Sequence, residues 1–274
     1  MSFLQNVLRI MDASMETPTL FGWFHLLWLA ITLVSGIALC AWHRKGGDER
    51  RVRNVVFGVA VTVMILEIYK MINYSFSYED GIVFDFQWYA FPWQFCSTPM
   101  YVGFLAGLIR KGKVHDSLCA YLATYAVFAG AAVMVYPGDV FIRTIGINIQ
   151  SMICHGSMIT VGMYLLYTGY VKLEHKTILK ALPVFACTLL IAVILNEIAY
   201  YSGLLETETF NMFFISRHLE STLPVYSLVH NAVPFPINLL IYIAGFTAAA
   251  YMMLVIAMGI RALGRKLHKA KTVA

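Results

Sequence analysis

Two residues of this chain have the side chains of a nucleophile–base pair, Cys96 and His155. A thiol becomes a strong nucleophile when a neighbouring base takes its proton, and histidine is the usual base because its unperturbed pKa is near neutrality. Both residues lie in apolar stretches, where polar and ionisable side chains are costly and mark candidate functional sites. We therefore predict that Cys96 is the nucleophile and His155 the base of a thiol-dependent reaction.

Other polar residues in apolar stretches could support this pair. Glu67 is a candidate for orienting the imidazole, the third role of a catalytic triad. Lys70, Gln94 and Asn196 could donate hydrogen bonds to a developing oxyanion, and Gln150 could contact a substrate. The structural alternative stays open, because Glu67 and Lys70 are three residues apart and could simply pair on one helix face, while amides can join helices.

The composition indicates a membrane protein. Of 274 residues, 59% are hydrophobic and 13% are charged, whereas soluble domains carry about 25% charged residues. The mean hydropathy is +0.70. The net charge of +5 comes from basic residues in short loops between apolar runs. This distribution indicates membrane orientation, and we expect no nucleic-acid partner.

Seven apolar runs are long enough to cross a bilayer. Each is predicted to be a helix, because every backbone polar group inside lipid must find a partner within the protein. The fold class is therefore all-α, with residues 1–274 forming a single seven-helix transmembrane domain. The predicted spans are about 20–42, 54–76, 91–109, 117–136, 146–171, 179–201 and 235–260.

The distribution of Lys and Arg orients these spans. The loops after the first, third and fifth runs and the C-terminal tail carry 16 of the 20 basic residues, and such loops stay in the cytoplasm. We predict an N-terminus outside and a C-terminus in the cytoplasm, with the polar residues above in the outer half of the membrane. Residues 1–19 lack the apolar stretch of a cleavable signal peptide, so we expect an integral protein of the bacterial cytoplasmic (inner) membrane.

Two other functions fit the same residues. The polar layer could line the cavity of a membrane carrier or small-molecule receptor. His25, His155, His218 and His230 could instead serve a zinc-dependent membrane hydrolase, although no HxxxH or HExxH spacing occurs. We expect no metal and no cofactor. The oligomeric state is open.

Four segments resemble the YwaF-like bacterial integral membrane proteins and their eukaryotic relatives, the transmembrane protein 164 acyltransferases. FPWQFCSTPMYVG (91–103) is similar to the family's proline–polar–Cys opening of span three, and INIQSMICHGSMITVGMYL (147–165) to its span five. NEIAYYSGLLETETFNMFFISR (196–217) and SLVHNAVPFPINLLIYI (227–243) resemble the end of span six and the entry into span seven. The family commonly has His two residues before the cysteine, where this chain has Gln94.

The resemblance implies an intramembrane acyl transfer on phospholipid. Cys96 would take the acyl group as a thioester, and His155 would be the base. Asn196 and Asn211 would be pocket residues by position, and Arg217 could hold a lipid phosphate. Transferase and hydrolase chemistry, the acyl donor, the acceptor and the headgroup stay open.

Overall fold

The structure is a computed structural model that describes residues 2–44, 48–79, 81–203, 205, 209–230 and 232–273, with side chains up to residue 266. Within these residues the chain is mostly helical, with one two-stranded antiparallel hairpin and two short 3-10 turns at Trp88–Ala90 and Met212–Phe214. The helices are α1 Phe3–Met11, α2 Trp23–Arg44, α3 Glu49–Ser75, α4 Thr98–Leu108, α5 Lys113–Leu122, α6 Tyr125–Val135, α7 Ile145–Tyr167, α8 Thr177–Ser202, α9 Ser227–His230 and α10 Phe235–Val273. The strands are β1 Phe76–Ser77 and β2 Val83–Phe84.

Six helical stretches in the described chain are long and apolar enough to cross a membrane. They are α2, α3, α5 with α6, α7, α8 and the Phe235–Lys266 part of α10. The multi-pass helical architecture predicted from hydropathy is therefore confirmed. The remaining predicted span is the third apolar run. It contains α4, which has 11 residues and is shorter than a full span.

The third apolar run differs from the prediction of one helix over 91–109. The helix begins only at Thr98, and residues 91–97 form a series of turns. Phe91 takes an extended conformation, as sterics favour before Pro92. Non-helical backbone is tolerated in a membrane protein where protein surrounds it, and the side chains of residues 91–97 are partly or fully buried.

The fourth run, predicted as one helix over 117–136, is divided into α5 and α6. The break falls at Ala123–Thr124, where Thr124 leaves helical geometry with φ −131° and ψ −78°. Its hydroxyl donates to the carbonyl of Ala120 at 2.7 Å. This type of back-bonding by threonine bends helices. The two halves still form one apolar stretch, Lys113–Val135.

Helix α7 lies at the centre of the bundle and contacts α2, α3, α5 and α6. Helix α4 packs between α3 and α5, and α10 packs on α6 and α8. Large aromatic side chains fill the interior, with Tyr125 stacked on Phe185 at a centroid distance of 4.5 Å and Tyr242 beside Phe246 at 4.2 Å. The outer faces of α2, α3, α8 and α10 expose many leucine and isoleucine side chains, as a lipid-facing surface does.

The N-terminal helix α1 is an element that the sequence analysis did not predict. Ser2 and Gln5 form a reciprocal capping box at its start. Its end is tied to α3, because the Tyr69 hydroxyl donates to the carbonyl of Met11 at 2.6 Å. Helix α1 therefore lies against the same end of α3 that carries the polar residues described next.

Candidate functional site

Cys96 lies in the turn segment 91–97, immediately before α4, and its side chain is half-buried. The Cys154 thiol, on the central helix α7, points at the carbonyl of Cys96 at 3.9 Å. Cys154 itself is buried. The non-helical segment that carries Cys96 is thus packed directly on α7, one residue before the predicted base.

An ion pair forms on α3 near Cys96. Lys70 Nζ lies 2.5 Å from Glu67 Oε1, and the Gln150 amide of α7 donates to Glu67 Oε2 at 3.1 Å. The Glu67 side chain is 5% exposed and that of Lys70 is 16% exposed. Both charges act electrostatically on the Cys96 sulfur. The structure therefore brings three of the predicted site residues, Glu67, Lys70 and Gln150, into one hydrogen-bonded cluster.

His155 is buried in α7, and its ring has a defined hydrogen-bonding arrangement. Nδ1 lies 2.7 Å from the carbonyl of Ser151, one turn earlier in the same helix. Since a carbonyl oxygen can only accept, Nδ1 carries the proton and Nε2 presents a lone pair. Nε2 is buried and has no hydrogen-bond partner among the described residues. This imidazole has the tautomer that a general base requires.

The structure does not join Cys96 and His155 by a hydrogen bond within the described chain. Cys154 is the α7 residue that contacts the cysteine segment, and successive residues of a helix point about 100° apart. Ser151, and not Glu67, holds the imidazole. Every residue of a helix has a backbone carbonyl four positions before it, so the sequence carries no specific signal for the contact between the His155 ring and Ser151.

Gln94 and Asn196 hold the 3-10 turn Met212–Phe214 inside the bundle. Gln94 donates to the carbonyl of Asn211 at 3.1 Å and accepts from the backbone N–H of Phe213 at 2.9 Å. Asn196 makes the same two-way contact with the backbone of Met212, at 3.0 and 2.7 Å. Phe213 has a positive φ of 59°. The two amides therefore bind backbone, and they position the turn beside the cysteine segment.

The remaining predicted residues lie in the long connection after α8. Asn211 accepts from the backbone of Ser216 at 2.9 Å, which shapes its own loop. Arg217 is bound to Glu197 at 2.8 Å, and this hydrogen bond raises the pKa of the Arg217 guanidinium above its usual range. His218 stacks on the Tyr200 ring at 3.5 Å between centroids.

The histidines considered for zinc are separated by their contacts. His25 is fully buried and bonds to the backbone of Phe21 and Met134, whereas His218 contacts Glu197. No three His, Cys, Asp or Glu side chains converge in a metal-binding group within the described residues.

Comparison with protein-family models identifies the family of this chain. The family model described as the TMEM164 family matches residues 20–258, which is most of the sequence. The chain belongs to the TMEM164 family. Comparison with curated proteins and with solved structures gives no match. The part that matches the TMEM164 family includes α2 to α9, the turn segment of Cys96, and His155 on α7.

Proposed function

We propose that this TMEM164 family protein is a thiol-dependent acyltransferase that moves a fatty acyl chain between membrane phospholipids. The observation that carries the proposal is the His155 imidazole, whose Nε2 lone pair is buried and unpartnered among the described residues while Nδ1 is held by Ser151. The family resemblance supplies the acyl-transfer chemistry.

In the proposed reaction, His155 Nε2 takes the proton of the Cys96 thiol. The thiolate attacks the ester carbonyl of the donor lipid, and a thioester forms as the lipid alkoxide leaves with the proton from His155. The hydroxyl of a second lipid then attacks the thioester and gives its proton to His155, the carbon–sulfur bond breaks, and the Cys96 thiolate that leaves takes the proton back from His155. Water in place of that hydroxyl would make the protein a lipid hydrolase.

The polar residues near Cys96 have supporting roles in this proposal. In this proposal the Lys70 ammonium stabilises the oxyanion of the tetrahedral intermediate. Glu67 and Gln150 hold Lys70 in position. Gln94 and Asn196 shape the substrate pocket through the turn they bind, Asn211 shapes it through the loop that follows this turn, and Arg217 contacts lipid phosphate. Catalytic hydrogen bonds often tighten only in the substrate complex, and we propose that lipid binding moves the cysteine turn towards His155.

The proposal includes the membrane topology. The chain crosses the bilayer seven times, with α4 and the 91–97 turns forming the short third crossing, an external N-terminus and a cytoplasmic C-terminus. The asymmetry of Lys and Arg between the loops supports this orientation. The site then lies in the outer half of the bacterial cytoplasmic membrane, where acyl chains reach it without crossing water.

The test is acyl exchange in proteoliposomes that contain a labelled phospholipid donor and an unlabelled lysophospholipid acceptor. We expect Cys96→Ser to reduce exchange at least a hundredfold and His155→Gln to reduce it about 10²-fold or more. Cys187→Ser is the matched control, because Cys187 is an exposed cysteine elsewhere in the bundle, and it should exchange at the wild-type rate. Exchange that continues in Cys96→Ser would refute the proposal, and solute flux that survives this substitution would favour a carrier.

A further inference from the structure

A cavity of about 300 Å³ opens between α3, α4 and the segment after β2. This volume is at the lower end of the range for ligand pockets. Its walls are methionine, isoleucine and aromatic side chains, with two polar exceptions, Glu67 and Ser75. The apolar walls are Met64, Ile68, Met71, Ile72, Phe76, Phe84, Phe86, Pro92, Met100 and Tyr101.

The cavity opens sideways from the bundle. Ile68 is 59% exposed and Phe84 is 60% exposed, and both side chains belong to the lining. Because Ile68 lies in the apolar part of α3, the mouth faces the surface that the bilayer covers. A ligand can therefore enter from lipid.

Of the two polar residues in the cavity wall, Ser75 is the one whose side chain has no hydrogen-bond partner among the described residues. Its side chain is buried, 3% exposed, and its Oγ makes no hydrogen bond to any residue that the structure describes. A buried hydroxyl without a partner is costly, and this one lies in the cavity wall. It can donate a hydrogen bond to an oxygen atom of a bound ligand.

Glu67 lines the cavity on the same helix as Ser75, and its charge is balanced within the protein. Glu67 lies eight residues before Ser75 on the same helix, about 12 Å along the axis. Lys70 and Gln150 already bind its two carboxylate oxygens. The paired charge is neutralised, so a hydrocarbon chain can run past it.

We propose that this cavity binds one acyl chain of a phospholipid, with the ester oxygen accepting a hydrogen bond from Ser75. The chain fills the apolar part between Ser75 and Glu67 and approaches the Cys96 turn through Pro92. Because its ester lies at Ser75 and not at the Cys96 sulfur, this is the chain that the lipid keeps, and the other ester of the same lipid reacts. The occupant is still the lipid of the acyl-transfer reaction, and in that respect the inference rests on the proposed function. Binding itself does not require turnover and is tested separately.

The experiment uses the full-length Cys96→Ser protein in nanodiscs with a phosphatidylcholine that carries a photoactivatable diazirine on one acyl chain. Crosslinked peptides are identified by mass spectrometry. We expect labelling on α3 and α4, at least fivefold less labelling in Ile68→Trp, which blocks the mouth, and about threefold to tenfold weaker labelling affinity in Ser75→Ala through loss of one hydrogen bond.

The matched control is Gly58→Phe, on the same helix but in the separate groove between α2, α3 and α7. A side chain there meets no atom within 4 Å of its Cβ, and labelling should stay at the Cys96→Ser level. Labelling that is unchanged in both Ile68→Trp and Ser75→Ala would overturn the inference. A free diazirine fatty acid that labels the cavity in preference to the phospholipid would also overturn it.

These outcomes separate the inference from the proposed function. Labelling of the cavity in Cys96→Ser together with no acyl exchange by the wild-type protein would refute the acyltransferase and leave the lipid site standing. Exchange by the wild-type protein without labelling of α3 and α4 would refute the lipid site alone.

Discussion

The tautomer of the His155 imidazole is set by a carbonyl of its own helix. The Ser151 carbonyl fixes the proton on Nδ1, so the lone pair of Nε2 is available without help from a distant carboxylate. Glu67, the residue that a triad would use for this purpose, is engaged by Lys70 and Gln150. The residues that sequence analysis grouped into one triad thus make two separate sets of contacts, with the His155 ring held by its own helix backbone and Glu67 held in an ion pair with Lys70.

The ion pair leads to a prediction about stability. Glu67→Gln removes one charge and leaves Lys70, which is 16% exposed, without its counter-ion inside a span. We expect unfolding to become easier by roughly 2–4 kcal/mol, measured as a lower Tm in detergent. The double variant with Lys70→Met should regain most of the loss, because no uncompensated charge is left. A double variant less stable than Glu67→Gln would contradict this account.

Arg217 leads to a prediction about substrate binding. Its guanidinium is held by Glu197 at 2.8 Å, near the C-terminal end of α8. If Arg217 binds lipid phosphate, Arg217→Gln raises KM for an anionic phospholipid several-fold and leaves kcat unchanged. Kinetics in mixed micelles measure this, and Arg143→Gln serves as the control. An equal effect of both substitutions would show that general surface charge is responsible.

Among the elements, the 91–97 segment differs most from what hydropathy predicts. Its sequence continues the apolar run of a predicted membrane-spanning helix. Hydropathy reports how apolar a segment is and says nothing about its backbone conformation. The extended residue before Pro92 and the Gln94 contacts to a turn more than a hundred residues later depend on local sterics and on tertiary packing. The conformation before Pro92 could be deduced from the sequence, whereas the Gln94 contacts could not.

Hydropathy predicts the other elements well for a physical reason. Lipid requires each apolar run to satisfy its own backbone, so the bounds of α2, α3, α7 and α8 could be predicted to within about five residues. Helix α10 begins at residue 235 as predicted but continues to Val273, past the predicted end at residue 260, because the charged tail that follows the apolar run is also helical. The break at Thr124 escaped notice because a threonine in an apolar run is compatible with a continuous helix. The pairing of Glu67 with Lys70 could be predicted from their spacing on one helix face. The neighbourhood of Cys96 and Cys154 depends on rotation about two helix axes, which apolar character does not encode.

The anchored turn leads to a prediction about local exchange. Asn196→Ala removes both hydrogen bonds to the backbone of Met212, and Gln94→Ala removes the one to the N–H of Phe213. We expect amide hydrogen exchange at Met212 and Phe213 to accelerate, with a loss of stability of about 1–3 kcal/mol for each variant.

The control for this experiment is Asn148→Ala. Asn148 binds the backbone of Ile142 in the same two-way manner, so its loss should accelerate exchange at Ile142 and leave Met212 protected. Exchange at Met212 that stays slow in Asn196→Ala would show that packing alone holds the turn.

At the scale of the whole molecule, the proposed topology places the site in one leaflet. A C-terminal green fluorescent protein fusion should fluoresce and a C-terminal alkaline phosphatase fusion should be inactive, because both report a cytoplasmic terminus. A Ser14→Cys variant should react with an impermeant maleimide added outside intact cells. Labelling only after lysis, together with a cytoplasmic C-terminus, would place both termini on one side and contradict seven crossings.

The central claim is that Cys96 carries the acyl group, and intact-protein mass spectrometry of the protein incubated with phospholipid tests it most directly. The account predicts a mass increase of one acyl chain that hydroxylamine removes, that peptide mapping assigns to Cys96, and that Cys96→Ala abolishes. Acyl exchange that proceeds while Cys96 stays unmodified, or an adduct that maps to Cys154 and persists in Cys96→Ala, would contradict it.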